Sequence, residues 1–187
     1  MTELDRLSGD GDLGISMRRG SAAVLERITA FPLESAAATL HRLALVIQEH
    51  LGGTSGPLYA IFFLRTAAVL KESAESDGNE IQKWSKALMA GYTAIQQLGG
   101  AAPGDATMLD ALFPAITALE EAAAGGDLST ALAAAATAAE KGAASTVGMV
   151  PRKGRGRYLG DRAREHKDGG AACVAVILAS VAEHVKQ

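Results

Sequence analysis

Between Ala131 and Glu140 the chain reads Ala-Leu-Ala-Ala-Ala-Ala-Thr-Ala-Ala-Glu, seven alanines in ten residues. Such a run makes a poor strand, because apart from Thr137 it has none of the β-branched or aromatic side chains that pack on a pleated surface, and alanine is the strongest helix former. Its side chains are also too small to fill a core alone, so its neighbours must approach closely. The remaining sequence agrees: 38 of the 187 residues are Ala and 21 are Gly, against 4% aromatic residues. With 48% hydrophobic and 21% charged residues, the expectation is one globular, all-α domain over residues 1–187, helices packed on helices and joined by glycine loops.

Other classes fall away on simple grounds. The single cysteine, Cys173, allows neither an intramolecular disulfide nor a cysteine zinc cluster, and suits a reducing cytoplasm. It lies in an apolar run and reads as core rather than nucleophile. The N-terminus, Met1-Thr-Glu-Leu-Asp5, has neither the basic nor the apolar part of a signal peptide, and no apolar run is expected to reach the length of a membrane span. A net charge of −3 does not describe a general nucleic-acid binder.

Helical periodicity between breakers predicts seven helices. They run from Ile15 to about Ala30, Leu33 to Leu51, Leu58 (after Pro57) to about Ser73, Glu80 to Leu98, Thr107 to Ala124, Leu128 to about Ala144, and Ala171 to Val185. Gly52-Gly53, Gly99-Gly100 and Gly125-Gly126-Asp127 separate them. Pro114 is expected to kink the fifth or to sit near its first turn. His41, His50 and His184 fall on helices without metal-like spacing, and His166 in a loop.

Four connections are richer in glycine, acids, hydroxyls or bases than a helix bundle needs. The first, Leu4 to Gly14, carries Asp5, Asp10 and Asp12 within eight residues. So many carboxylates repel one another unless a cation lies among them, and hard oxygens with flexible glycines suit Mg²⁺ held together with phosphates. The alternative is a solvated turn with a capping aspartate. Gly9, Gly11 and Gly14 match a dinucleotide fingerprint, but no strand can precede them. An EF-hand also fails, because Gly14 and Ser21 fall where oxygen ligands are required. The second connection, Gly52-Gly-Thr54-Ser55-Gly-Pro57, leads into a helix whose N-terminus could receive an anion, or is a plain helix stop and start. The third runs from Gly99 to Asp110, where Asp105 or Thr107 would cap the next helix and Met108 would be core. The fourth, Pro151 to Gly170, holds seven of the 18 Lys and Arg residues. Tyr158 is its only aromatic, so it lacks the stacking platform of a single-strand nucleic-acid binder and fits a phosphate-binding flap better.

Taken in order, Leu4-Asp5-Arg6 with Gly9-Asp10-Gly11-Asp12-x-Gly14 and Met17, Gly52-Gly-Thr-Ser-Gly-Pro-Leu58, Pro103-Gly-Asp105-x-Thr-Met108, Arg152-Lys-Gly-Arg155 with Tyr158-Leu-Gly160, and Asp168-x-Gly170 resemble the DhaL family. This is the nucleotide-binding subunit of dihydroxyacetone kinase and the equivalent domain of single-chain, ATP-dependent kinases. The resemblance implies an antiparallel barrel of eight helices with ADP or ATP at one mouth. It assigns Asp5, Asp10 and Asp12 to two Mg²⁺ ions, and Leu13, Gly14, Ile15, Ser16, Thr54 and Ser55 to the nucleotide. Gly99 and Met108 would line the adenine pocket, Arg155 would face the phosphates, and Asp168, Gly169 and Gly170 would close over them. With only Met1, Thr2 and Glu3 before the first motif, the family's first helix is expected to be missing. Leu13 stands where the family usually has His or Thr, Gly156-Arg157 where it has Ala-Ser, and Gly169 where it has Pro.

The activity implied is phosphoryl transfer to dihydroxyacetone held on a separate K subunit, with the phosphoenolpyruvate-dependent version using a phosphohistidine carrier. An ATP-dependent kinase subunit for a short ketose and a non-catalytic regulatory module are the alternatives. A homodimer is left open, and neither a nucleic acid nor a membrane is an expected partner.

Overall fold

The computed structural model describes residues 2–125 and 127–185. It is all-helical, with eight α-helices and no strand among the described residues. These are α1 (Thr2–Ser8), α2 (Leu13–Arg27), α3 (Ala36–His50), α4 (Ser55–Glu72), α5 (Glu80–Gly99), α6 (Leu109–Ala122), α7 (Leu128–Ser145) and α8 (Gly169–Val185).

The eighth helix is α1, which places Leu4-Asp5-Arg6 on a helix where a loop was expected. Seven residues show no usable periodicity, and α1 is closed by local bonds: Ser8 donates to the Leu4 carbonyl at 3.0 Å, and Arg6 pairs with Glu3 at 3.1 Å. Other boundaries move by a turn or less. The helix expected to run on to Ala30 tightens into a 3-10 turn at Ile28–Ala30, and α3 starts late because Ser35 caps it by accepting from Ala38 N. Helix α4 starts before Pro57, which tolerates the first turn because its missing N–H has no partner there. Asp127 caps α7 by accepting from Thr130 N at 2.7 Å, and the Thr130 hydroxyl, followed by this N–H, holds its carboxyl below the usual range. Gly126 of the expected breaker lies outside the described residues.

The chain forms two compact units. Residues 14–99 make one, in which α4 packs against both α3 and α5. Helices α4 and α5 meet where Gly91 is bare: a Cβ there would come within 2.7 Å of the Phe62 carbonyl. Residues 1–13 and 100–187 make the other, with α7 packed on α6 and α8, and α1 lying against α8. Ala131, Ala135, Ala139 and Ala143 recur every four residues on α7 and are all buried. Beside them Gly142 lies so near α6 that a Cβ would overlap the Asp110 carbonyl and stand 2.9 Å from Pro114 Cγ. Pro114 is inside α6 and has no N–H to give that carbonyl.

Cys173 is buried, as expected. One expectation fails. Within Gly160–Val185 an 18-residue window of mean hydropathy 1.4, 39% of it buried, is long and apolar enough, by length and composition alone, to cross a membrane. Residues 171–175 and Ala182 are buried inside the unit, and a core helix meets the same criterion.

Candidate functional site

The acids Asp5, Asp10 and Asp12 come together, each offering a carboxylate oxygen within 4.8 Å of the others. They are held unequally. Asp5 is buried in the first turns of α1, and its Oδ2 accepts from Leu13 N at 2.9 Å, so one carboxylate ends the first motif and starts α2. The chain can turn there only because Gly9 is bare, since a Cβ would overlap Asp5 Oδ1, and because Gly11 adopts φ +81°. Asp10 and Asp12 are exposed on this turn. Burial, then the Asp10 and Asp5 carboxylates, push the Asp12 carboxyl up, and Arg155 opposes them. The cluster therefore carries more negative charge than Arg155 offsets. Such oxygens suit a hard divalent cation bonded at about 2.1 Å, after small side-chain movements.

The only cationic group paired with this loop among the described residues is Arg155, whose Nε lies 3.2 Å from Asp10 Oδ2. The segment that carries it is held down by Gly156, where a Cβ would stand 2.7 Å from the Ser8 carbonyl. Two 3-10 segments follow, Gly156–Tyr158 and Gly160–Glu165, and Arg157 lies over the Tyr158 ring, 4.7 Å from its centre.

The turn Asp168–Gly170 arrives beside Asp5. Gly169 is buried, and a Cβ on it would stand 3.2 Å from both Asp5 Oδ1 and Leu13 Cδ2. Leu13 thus fills space beside a residue that has no side chain. Burial pushes the half-buried Asp168 carboxyl up to about 6, with Asp110 and Asp5 adding to it, against hydrogen bonds from Ala171 N and Gly170 N. Gly170 lies by Met108, which is buried.

The loop before α6 differs from expectation. Neither Asp105 nor Thr107 is the N-cap. That position is Met108, with no side-chain cap bond, and Thr107 Oγ1 accepts from Leu109 N instead. Asp105 is buried and turned inward, accepting from Ala102 N at 2.8 Å. Asp110, in the first turn of α6, reaches back to accept from Gly104 N and Thr107 N. It thereby organises the loop around Met108, although no sequence signal separated it from a first-turn acid. Thr146 was also missed. It is buried at the end of α7, its hydroxyl donates to the Ala143 carbonyl and accepts from Asp168 N at 2.9 Å, and it so fixes the turn that precedes α8.

The remaining candidates belong to the other unit. Ser16 is buried on α2, Ile15 is exposed, and Gly14 lies between them in exposure. Gly52 and Gly53 take φ of +76° and +60°, Thr54 is the exposed N-cap of α4 without a side-chain cap bond, and Ser55 opens that helix. Gly99 is the last residue of α5 and is exposed.

Comparison with known proteins places these features in a family. Residues 8–183 match the DAK2 domain. The chain is 37% identical over 190 residues to a probable dihydroxyacetone kinase of Dictyostelium discoideum, covering 96% of this chain and 29% of that protein. It is 33% identical over 188 residues to the ADP-binding subunit DhaL of the PEP-dependent dihydroxyacetone kinase of Escherichia coli (strain K12), covering 100% of this chain and 88% of that subunit. Among solved structures, the dihydroxyacetone kinase of C. freundii in complex with AMP-PNP and Mg²⁺ matches with a TM-score of 0.70 and 29% identity, over 98% of this chain and 30% of that one. The chain thus spans under a third of the length of the Dictyostelium discoideum and C. freundii kinases and most of the bacterial subunit. It belongs to the DAK2-domain family of dihydroxyacetone kinases and is a homologue of the DhaL subunits.

Proposed function

We propose that the chain is the nucleotide-binding, phosphoryl-transfer subunit of a cytoplasmic, phosphoenolpyruvate-dependent dihydroxyacetone kinase. It would work as one domain with ADP or ATP and two Mg²⁺, and pass phosphate to dihydroxyacetone on a separate K subunit. The observation that carries this reading is the convergence of Asp5, Asp10 and Asp12 under Arg155 in a chain that covers 88% of an ADP-binding subunit. Bound magnesium would neutralise phosphate charge. The protein's own task is positioning. Asp5 offers a fixed carboxylate, Asp10 and Asp12 adaptable ones, and Arg155 a cation that can turn from Asp10 to a phosphate oxygen and stabilise charge during transfer. Met108 is ascribed to the base, and Asp168, Gly169 and Gly170 to closure over the phosphates. By family position, Leu13 to Ser16, Thr54 and Ser55 are ascribed to the nucleotide and Gly99 to its base.

In the phosphoenolpyruvate-dependent version ADP stays bound and is recharged by a phosphohistidine carrier. A second reading, an ATP-dependent kinase of dihydroxyacetone or another short ketose, is favoured by the similarity to 29% of the length of a probable dihydroxyacetone kinase. Calorimetry with ADP and Mg²⁺ tests the shared core: the wild type should bind and Asp10→Asn should lose at least tenfold in affinity, whereas no binding at millimolar nucleotide refutes it. Repeated turnover with a K subunit and ATP, but no carrier, would select the second reading.

A further inference from the structure

An arginine on α2 that no motif drew attention to governs how the chain enters the Thr54-Ser55 loop. Arg19 Nε donates to the His50 carbonyl at 2.7 Å and its Nη2 to the Leu51 carbonyl at 2.8 Å, across more than thirty residues. These carbonyls are at the C-terminal end of α3, where helical acceptors have no partner in their own helix and the macrodipole favours a cation. The planar fork of a guanidinium can bond two successive carbonyls at once, and an ammonium holds such a pair less firmly.

The neighbouring residues are shaped to this contact. Gly20 lets α2 approach, since a Cβ there would stand 2.6 Å from Leu51 Cδ1, and Leu51 is buried. Gly52 follows with φ +76°, and a Cβ on it would overlap Arg19 Nη2. Only Gly53 then separates this clamp from Thr54, whose side chain makes no cap bond, and Ser55. The Gly56 N–H returns to the Gly52 carbonyl at 3.1 Å, so the turn is closed on the residue that Arg19 touches.

We infer that Arg19 is a positioning residue: by clamping the end of α3 it sets the path of Gly52–Ser55 and so presents the Thr54 and Ser55 hydroxyls to the nucleotide phosphates. This rests on the nucleotide reading above. Arg19 touches no ligand itself and acts through the loop.

Two measurements on the full chain separate the inference from that reading. In the ligand-free protein, hydrogen exchange at the Gly56 amide, which donates to the Gly52 carbonyl, should accelerate at least tenfold in Arg19→Met, less in Arg19→Lys, and not at all in Arg27→Met. Arg27 is a control on the same helix whose side chain, among the described residues, bonds the Ala23 carbonyl and Glu26. Calorimetry with ADP and Mg²⁺ should then show affinity reduced about tenfold in Arg19→Met, partly restored in Arg19→Lys, and unchanged in Arg27→Met. Unchanged exchange in Arg19→Met overturns the inference, and so does unchanged affinity. Should Arg19→Met not fold, Arg19→Lys carries both measurements, and wild-type values in either one overturn it. A wild type that binds no nucleotide refutes the functional reading, while the exchange result still reports on the clamp.

Discussion

Replacing Asp168 by asparagine should stabilise the ligand-free protein at neutral pH and have a smaller effect in acid. The Asp168 carboxyl is raised from 3.8 to about 6 in the folded chain by burial and by the nearby Asp110 and Asp5. Its unfolded counterpart titrates near the ordinary value. A folded state that holds its proton more tightly is favoured where that proton is bound. This contribution is therefore complete below about pH 4, fades as pH rises, and is lost above about pH 6. At about 1.4 kcal/mol per pH unit, the difference amounts to roughly 3 kcal/mol as an upper bound, and the side chain's partial access to water lowers the expectation to about 1–2 kcal/mol. Asparagine keeps an oxygen to accept from Ala171 N and does not titrate in this range. Urea unfolding of both proteins between pH 3.5 and 8 should therefore show the variant's stability relative to wild type rising by that amount through pH 4–6, then levelling. A difference that stays flat with pH, or moves the other way, would refute the account of Asp168 as a carboxyl strained by burial beside other acids.

Two further perturbations test other parts of the structure. Gly142→Ala should destabilise the unit containing α6, α7 and α8 by about 2 kcal/mol or more, because forcing a methyl against the Asp110 carbonyl outweighs the gain of about 1 kcal/mol in helix propensity; a raised urea midpoint would contradict it. Arg155→Ala should act with opposite signs on two ligands. Mn²⁺ alone, followed by electron paramagnetic resonance, should bind about two- to fivefold tighter once the competing ion pair with Asp10 is gone, since an exposed pair contributes up to about 1 kcal/mol. Affinity for ADP with Mg²⁺ should fall about tenfold. Movement of both in one direction would show that Arg155 does not alternate between carboxylate and phosphate.

Legibility from the sequence followed interaction range. Helices α5 and α7 were readable because their side-chain spacing and their stops are local properties, and Cys173 was placed in the core for the same reason. The Asp5, Asp10 and Asp12 cluster was readable because like charges within eight residues cannot be far apart. What escaped depended on partners distant in sequence. The start of α2 at Leu13 is set by a carboxylate eight residues away, the Asp168 turn by a hydroxyl twenty-two residues away, and the path after α3 by a guanidinium more than thirty residues away. Thr146 and Arg19 look like ordinary helix residues until the chain is folded. Asp110 is different: its partners are near, but a first-turn acid normally signals only a helix start, and nothing in its neighbours reveals that it reaches backward.

The small-residue face of α7 makes mutational tolerance one-sided. An alanine core gains little per methyl from leaving water, about 0.8 kcal/mol, yet loses almost no side-chain entropy on folding. Removing a methyl at Ala131, Ala135, Ala139 or Ala143 therefore costs modestly, mainly through the weaker helix propensity of glycine, about 1 kcal/mol. Adding carbon to any of them must displace atoms of the helices packed on α7, because all four positions are already buried. Sequence drift along this face should accordingly run among Gly, Ala and Ser and stop short of Val or Leu, while the exposed face of the same helix accepts nearly any good helix former.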